Sequence, residues 1–215
     1  MKRSLPMLLQ RHGDALAACR RCGHDGGVRP IVSPARAPKA MLVGQAPGRT
    51  EATSGRPFAG RAGGTLFRWL GSIGLDEDMA RERIYIAAIT RCYPGPSPSG
   101  RGDRVPSPRE RALCASWLDD ELRMIQPRVV IPVGRLAIDR FLGPEPLEQL
   151  VGRAHDVQHA GGHSLAIPLP HPSGASSWIH EPGHKAQLES ALHILARELR
   201  ELGIITLSPT RRSVA

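Results

Sequence analysis

Four short apolar runs, Ala40–Gln45, Arg83–Thr90, Arg128–Gly134 and Ser164–Pro170, are each flanked by Gly, Pro or charge and read as buried strands. Helical patterns separate and follow them. Leu66, Phe67, Leu70 and Ile73 share one face of a stretch over Leu66–Ile73. Leu113, Trp117, Leu118, Leu122 and Ile125 do the same over Pro108–Ile125. A short pattern covers Gly134–Leu142, and Leu188, Leu192, Leu195 and Leu199 mark Lys185–Leu202. This alternation admits few folds. It predicts an α/β chain, a three-layer α/β/α sandwich around a central four-stranded parallel sheet. A chain of 215 residues suits one domain, expected over 1–205, with 206–215 as a fraying tail.

In parallel sheets, ligands sit beyond the carboxyl ends of the strands. That rule points to four loops, Gln45–Gly64, Arg91–Ser107, Gly134–Arg135 and His171–Gly183. The first lies within "GQAPGRTEATSGRPFAGRAGG", with six glycines, two prolines, one Phe and one Glu between a strand and a helix. The stretch "YPGPSPSGRGDRVPSP" is expected to be mobile.

No apolar run reaches the roughly 18 residues a membrane helix needs. The first apolar stretch is too short and interrupted for a secretory signal, so the cytoplasm is the expected compartment. The net charge of +9 has two readings, an Arg-rich composition or attraction to a phosphate backbone.

Four cysteines remain. Cys19 and Cys22 form a C-x-x-C, Cys92 follows the second strand, and Cys114 lies in the next helix. Free structural thiols are one reading. Disulfides fit a cytoplasmic chain poorly. A four-thiolate metal site is the third reading, and spacing leaves zinc and a cubane iron–sulfur cluster equally open. Arg20, Arg21 and Arg91 stand beside these thiols and would offset a cluster's negative charge.

Several motifs fall into one known pattern. Gly44-Gln45-Ala46-Pro47-Gly48 is similar to a G-E-[AG]-P-G motif, and Gly55-Arg56-Pro57-Phe58-Ala59-Gly60-Arg61-Ala62-Gly63 to G-x-P-F-x-G-x-A-G. His171-Pro172-Ser173 follows the last strand, and the cysteine set matches in order. Together these resemble the uracil-DNA glycosylase superfamily, specifically its iron–sulfur family 4 branch.

The resemblance implies a [4Fe–4S] cluster on Cys19, Cys22, Cys92 and Cys114. It also implies a monofunctional glycosylase that hydrolyses the N-glycosidic bond of uracil in single- and double-stranded DNA. A monomer, nucleoid-associated in a bacterial-type cytoplasm and without membrane contact, is expected. Gln45, Glu51 and His171 would be catalytic. Gln45, Ala46, Gly48, Phe58, Ala88, His171 and Ser173 would bind the substrate. Backbone amides at Gln45 and Ala46 would meet a uracil carbonyl, and the extruded base would stack on Phe58. His171 would donate to uracil O2 as charge builds on the leaving base. Glu51 would position or activate water.

Arg49, Arg56, Arg61, Arg101 and Arg104 are phosphate candidates, though any one of them reads more readily as a plain surface charge. Ser173 and the 174–179 segment would enter the duplex, with Trp178 or Ile179 as a wedge in the base stack; core packing of either is the equal alternative.

The pattern breaks in three places. Family 4 carries an Asn where Ala88 stands, so selectivity for other deaminated bases is expected to relax. The acid pair after the first motif is reduced to Glu51-Ala52. Tyr93–Leu113 holds no histidine of the kind one relative links to the abasic sugar, so ordinary turnover is expected. Two rivals stand beside the enzyme, a catalytically impaired iron–sulfur DNA-binding relative and a zinc nucleotide hydrolase. The missing G-K-[ST] ending counts against the second.

Overall fold

The computed structural model describes residues 4–23, 29–33, 38–99, 102–173 and 178–206. Arg101, the segment 174–177 and all but the first residue of the expected tail lie outside the described residues.

Five strands form one sheet: β1 (Ala40–Gly44), β2 (Ile84–Ala88), β3 (Val129–Pro132), β4 (His155–His159) and β5 (Gly162–Ala166), in the order β2-β1-β3-β5-β4. β1 pairs in parallel with β2 and β3, and β3 with β5. These are the four expected parallel strands. The expectation of four is corrected by β4, which pairs antiparallel with β5 at the sheet edge. Only Val157 of its five residues is buried, so no apolar run marks it. Such an antiparallel edge on a parallel sheet is a common arrangement. The last expected run is shifted: beyond Ala166 the chain stays beside β3, with Ile167 N–H donating to Val130 O and Leu169 N–H to Pro132 O.

The sheet is covered on both faces because its side chains alternate. Leu42, Ile86 and Ile131 face α3 (Arg61–Gly71) and α8 (His184–Glu201) through Leu66, Leu70, Leu188 and Leu195. Met41, Val43, Tyr85 and Val130 face α1 (Leu5–Ala17), α5 (Pro108–Ile125) and α6 (Arg135–Leu142) through Leu9, Leu118, Leu122 and Ala137. Three layers result, as expected. α5 starts where the sequence says it should, because Pro108 opens it and Ser107 and Glu110 form a capping box. Three short helices carried too little periodicity to be read: α2 (Arg49–Ser54), α4 (Glu77–Arg83) and α7 (Leu147–Leu150). α4 is capped by Asp76, which accepts from Met79 N–H at 2.9 Å.

One polar cluster interrupts this core. Glu121 on α5 is fully buried and accepts from Tyr85 Oη at 2.7 Å and from Arg91, and it pairs with His12 Nε2 at 3.2 Å. Burial opposes its ionisation, but Arg91, with His12 and Tyr85, holds its carboxyl below the usual range. The cluster ties α1, β2, α5 and the segment after β2 together. Removing one partner strands a buried charge. Glu121→Ala should therefore cost about 3–5 kcal/mol of stability in denaturant unfolding. A loss under about 1 kcal/mol would show that Arg91 is not held by this pair.

Candidate active site and thiol cavity

A cleft of about 540 Å³ opens at the carboxyl ends of β1, β2 and β3. Gln45, Ala46, Gly48, Glu51, Phe58, Ala88, His171 and Ser173 all line it, so the expected base-site residues come together.

The loop after β1 is shaped by Glu51. Its Oε2 accepts from Gly48 N–H at 3.0 Å and its Oε1 from Gly60 N–H at 2.8 Å. Glu51 is buried and caps α2 while drawing the start of α3 back over it. Both carboxylate oxygens are thus engaged by backbone, so the residue expected to position or activate water also shapes the loop. The Gly48 amide is occupied by the same bond and does not face a ligand as a free donor.

Between these two anchors Phe58 adopts φ +52, a left-handed conformation uncommon for a bulky residue. Two contacts hold it. Arg81 Nη1 donates to Pro57 O at 2.8 Å. The α3 backbone passes so close that a Cβ on Gly63 would lie 1.8 Å from Phe58 O, so only glycine fits. The Phe58 ring tip sits 2.8 Å from where a Cβ on Gly44 would be, leaving a half-buried aromatic surface beside the end of β1.

Gln45 and His171 meet across Gly134. A Cβ there would lie 2.8 Å from His171 Cδ2 and 3.1 Å from Gln45 Cδ. Gln45 Oε1 accepts from Leu136 N–H at 3.2 Å, at the start of α6. An N–H needs an oxygen opposite it, so this bond fixes the amide's orientation and leaves its NH₂ as the donor end.

His171 is fixed the same way. Ser173 N–H donates to Nδ1 at 3.2 Å, and Ser173 Oγ lies 2.8 Å from the same atom. Nδ1 is therefore the acceptor, and a neutral ring carries its proton on Nε2. Burial lowers the His171 pKa and favours that neutral form. Nε2 has no hydrogen-bond partner among the described residues.

Ala88 stands opposite Gly44 in the register and offers only a methyl group. Trp178 is corrected as a wedge. It is buried, stacks on His184 at 4.0 Å and donates from Nε1 to Glu148 at 3.1 Å. Ile179 is half-buried against the core. Arg49, Arg56 and Arg61 are exposed, whereas Arg104 is bound to Glu110 through two hydrogen bonds of 2.7 and 2.6 Å. That pair pulls the Glu110 carboxyl down to about 2.

Sequence reasoning missed Asp103. Its Oδ2 lies 2.8 Å from the Cβ position of Gly48, as does Glu51 Oε2. The loop that carries it is also less loose than its composition suggests. Ser97 N–H donates to Gly102 O at 2.9 Å and Arg104 N–H to Gly95 O at 3.0 Å.

Behind the cleft lies a second cavity, lined by Cys19, Cys22, Cys92 and Cys114. Burial pushes the Cys92 thiol up to about 12, with Cys114, Cys22 and Cys19 adding to the rise. Among the described residues, no three His, Cys, Asp or Glu side chains converge on one ion. A single zinc needs its sulfurs within about 2.3 Å of one point. A cubane cluster binds each thiolate through a different iron and holds them farther apart. The surroundings suit the larger group. Arg91 Nε and Nη1 and Trp117 Nε1, on residues lining this cavity, are buried donors without a hydrogen-bond partner among the described residues. Such donors match the sulfides and thiolates of a cluster.

A mostly parallel α/β sheet with a glycine-shaped cleft at its strand ends defines a ligand-binding class of protein. Comparison with known proteins gives the family. The model of the uracil DNA glycosylase superfamily matches residues 30–196. Among similar proteins, a type-4 uracil-DNA glycosylase of Archaeoglobus fulgidus is 31% identical over 81% of this chain and 85% of its own length. A type-4 uracil-DNA glycosylase of Sulfurisphaera tokodaii is 27% identical over 78% of this chain and 72% of its own. A type-5 uracil-DNA glycosylase of Thermus thermophilus is 32% identical over 61% and 59%. The chain belongs to the uracil-DNA glycosylase superfamily.

The clasp by Glu51 makes a stability prediction. Glu51→Ala leaves the amides of Gly48 and Gly60 without their acceptor and should cost about 2 kcal/mol. Thermal unfolding checks this, and an unchanged melting temperature would contradict it.

Proposed function

We propose that this chain is a monofunctional DNA glycosylase that hydrolyses the N-glycosidic bond of uracil in DNA and so opens base-excision repair. It acts as one domain and as a monomer, on single- and double-stranded DNA. The observation that carries the reading is the meeting of a neutral, Nε2-protonated His171 with Gln45 and Phe58 in one cleft.

The chemistry follows from charge. Breaking the bond leaves negative charge on the base and positive charge on the sugar. His171 Nε2–H donates to uracil O2 as that charge grows, and a neutral donor needs no charge burial. Phe58 stacks on the extruded base. The NH₂ of Gln45 donates to a uracil carbonyl. Cytosine presents an amino group at position 4, so a fixed donor there disfavours it. Ala88 adds no hydrogen bond to that edge, which supports wider acceptance of deaminated bases. Glu51 supports the reaction by holding Gly48 and Gly60 in place. Exposed Arg49, Arg56 and Arg61 meet phosphates.

Cys19, Cys22, Cys92 and Cys114 would hold a [4Fe–4S] cluster. When bound, it supplies a covalent tie among the end of α1, the segment after β2 and α5, and lends its charge to Arg91 as a partner. Metal analysis of aerobically or anaerobically purified protein tests this. Iron and acid-labile sulfide at about four each per chain are expected, and stoichiometric zinc would overturn the assignment.

Alkali-sensitive cleavage of a uracil-containing oligonucleotide tests the function. His171→Ala should lower single-turnover excision by about 100-fold or more with DNA binding retained. An inactive wild-type chain would contradict the reading and favour a DNA-binding relative. The pH profile tests the role of His171. Because burial lowers its pKa, the ring stays neutral below the ordinary value of 6.5 and protonates only at lower pH. Excision should therefore hold steady as pH falls through 6.5. A rise in excision as pH falls through that value, absent in His171→Gln, would show the ring working as a cation.

A further inference from the structure

Glycosidic hydrolysis needs a group on the sugar side that welcomes positive charge and holds the attacking water. Glu51 is the acid the motifs supply, but both its oxygens carry buried backbone amides. Turning it toward water would leave those two amides unsatisfied. A second carboxylate stands where the first is constrained. Asp103 Oδ2 and Glu51 Oε2 each lie 2.8 Å from the same point, the Cβ position of Gly48, so the two acids flank one spot in the cleft wall.

The backbone around Asp103 is held while its side chain is not. Asp103 bridges Pro96 in antiparallel fashion, between the hydrogen bonds Ser97 N–H to Gly102 O and Arg104 N–H to Gly95 O. Arg104 pins the next residue to α5 through Glu110. Yet the Asp103 carboxylate accepts no hydrogen bond among the described residues and is open to solvent. Its charged neighbours are Arg49 on α2 and Glu51. A fixed backbone with an uncommitted carboxylate is suited to water, whereas the clasped Glu51 is suited to shape.

Resting on the glycosylase reading of the cleft, we infer that Asp103 is a catalytic residue of this chain. Its carboxylate holds the hydrolytic water and offsets the positive charge on the sugar. The C1′–N1 bond breaks with its electron pair leaving on uracil. The water oxygen bonds to C1′, and its proton passes to the Asp103 carboxylate and then to solvent. The products are uracil, protonated from solvent, and an abasic sugar bearing a C1′ hydroxyl.

Asp103→Asn keeps the size of the side chain and removes the charge and the base. Single-turnover excision with enzyme in excess should fall by about 100-fold. Binding to a duplex carrying 2′-fluoro-2′-deoxyuridine, which resists cleavage, should stay within about threefold, and the melting temperature should be unchanged. Asp103→Glu should recover part of the rate. An Asp103→Asn rate within about threefold of wild type would overturn the proposal. So would a loss that tracks weakened binding or a lowered melting temperature, since the residue would then only hold the loop. The wild-type arm separates the two claims: an active wild type with an unaffected variant sinks Asp103 alone, and an inactive wild type sinks the glycosylase reading beneath it.

Discussion

The carboxylate of Glu51 closes the loop on which the cleft depends. By accepting the amides of Gly48 and Gly60 it ties the loop after β1 to the start of α3. Phe58 lies inside that closure, at a positive φ that a bulky residue rarely adopts unaided. Gly63 and Arg81 complete the restraint from α3 and α4. The strain is local, and the surrounding bonds over-determine it. What the strain achieves is placement: an aromatic face beside the strand end, where a flat ligand can lie without a Cβ from Gly44 in the way.

Arg91 joins the two cavities. It lines both the cleft and the thiol cavity, and it is among the most deeply buried side chains of the chain. Glu121 neutralises it, but Nε and Nη1 keep unmet donor capacity. An empty partner on that side is costly in a buried place. Anion chemistry at Cys92 and Cys114 would relieve that cost. The thiol cavity and the cleft thus share one buried side chain.

Much of the layer order was legible because burial writes itself as periodicity. Leu188, Leu192, Leu195 and Leu199 announced α8, and Ser107-Pro108 announced the start of α5. β4 was illegible because an edge strand needs only Val157 inside. The residues expected to face a base were read from motifs, and they line one cleft, since Gln45, Phe58 and His171 have no periodicity of their own. The division of labour between acids could not be read. Glu51 and Asp103 look alike as letters, and only the amides of Gly48 and Gly60 reveal which one is committed. Trp178 was ambiguous for a related reason: wedge and core packing read alike in sequence until Glu148 and His184 supply its partners.

These points meet in one claim, that the cleft at the strand ends is shaped for a single flat base read by fixed neutral donors. A crystal structure with free uracil measures this most directly. The account predicts the ring stacked on Phe58, O2 within about 3.2 Å of His171 Nε2, and the other carbonyl facing the Gln45 NH₂. Uracil bound away from His171, or a ring turned so that its carbonyls face Ala88 instead, would contradict it.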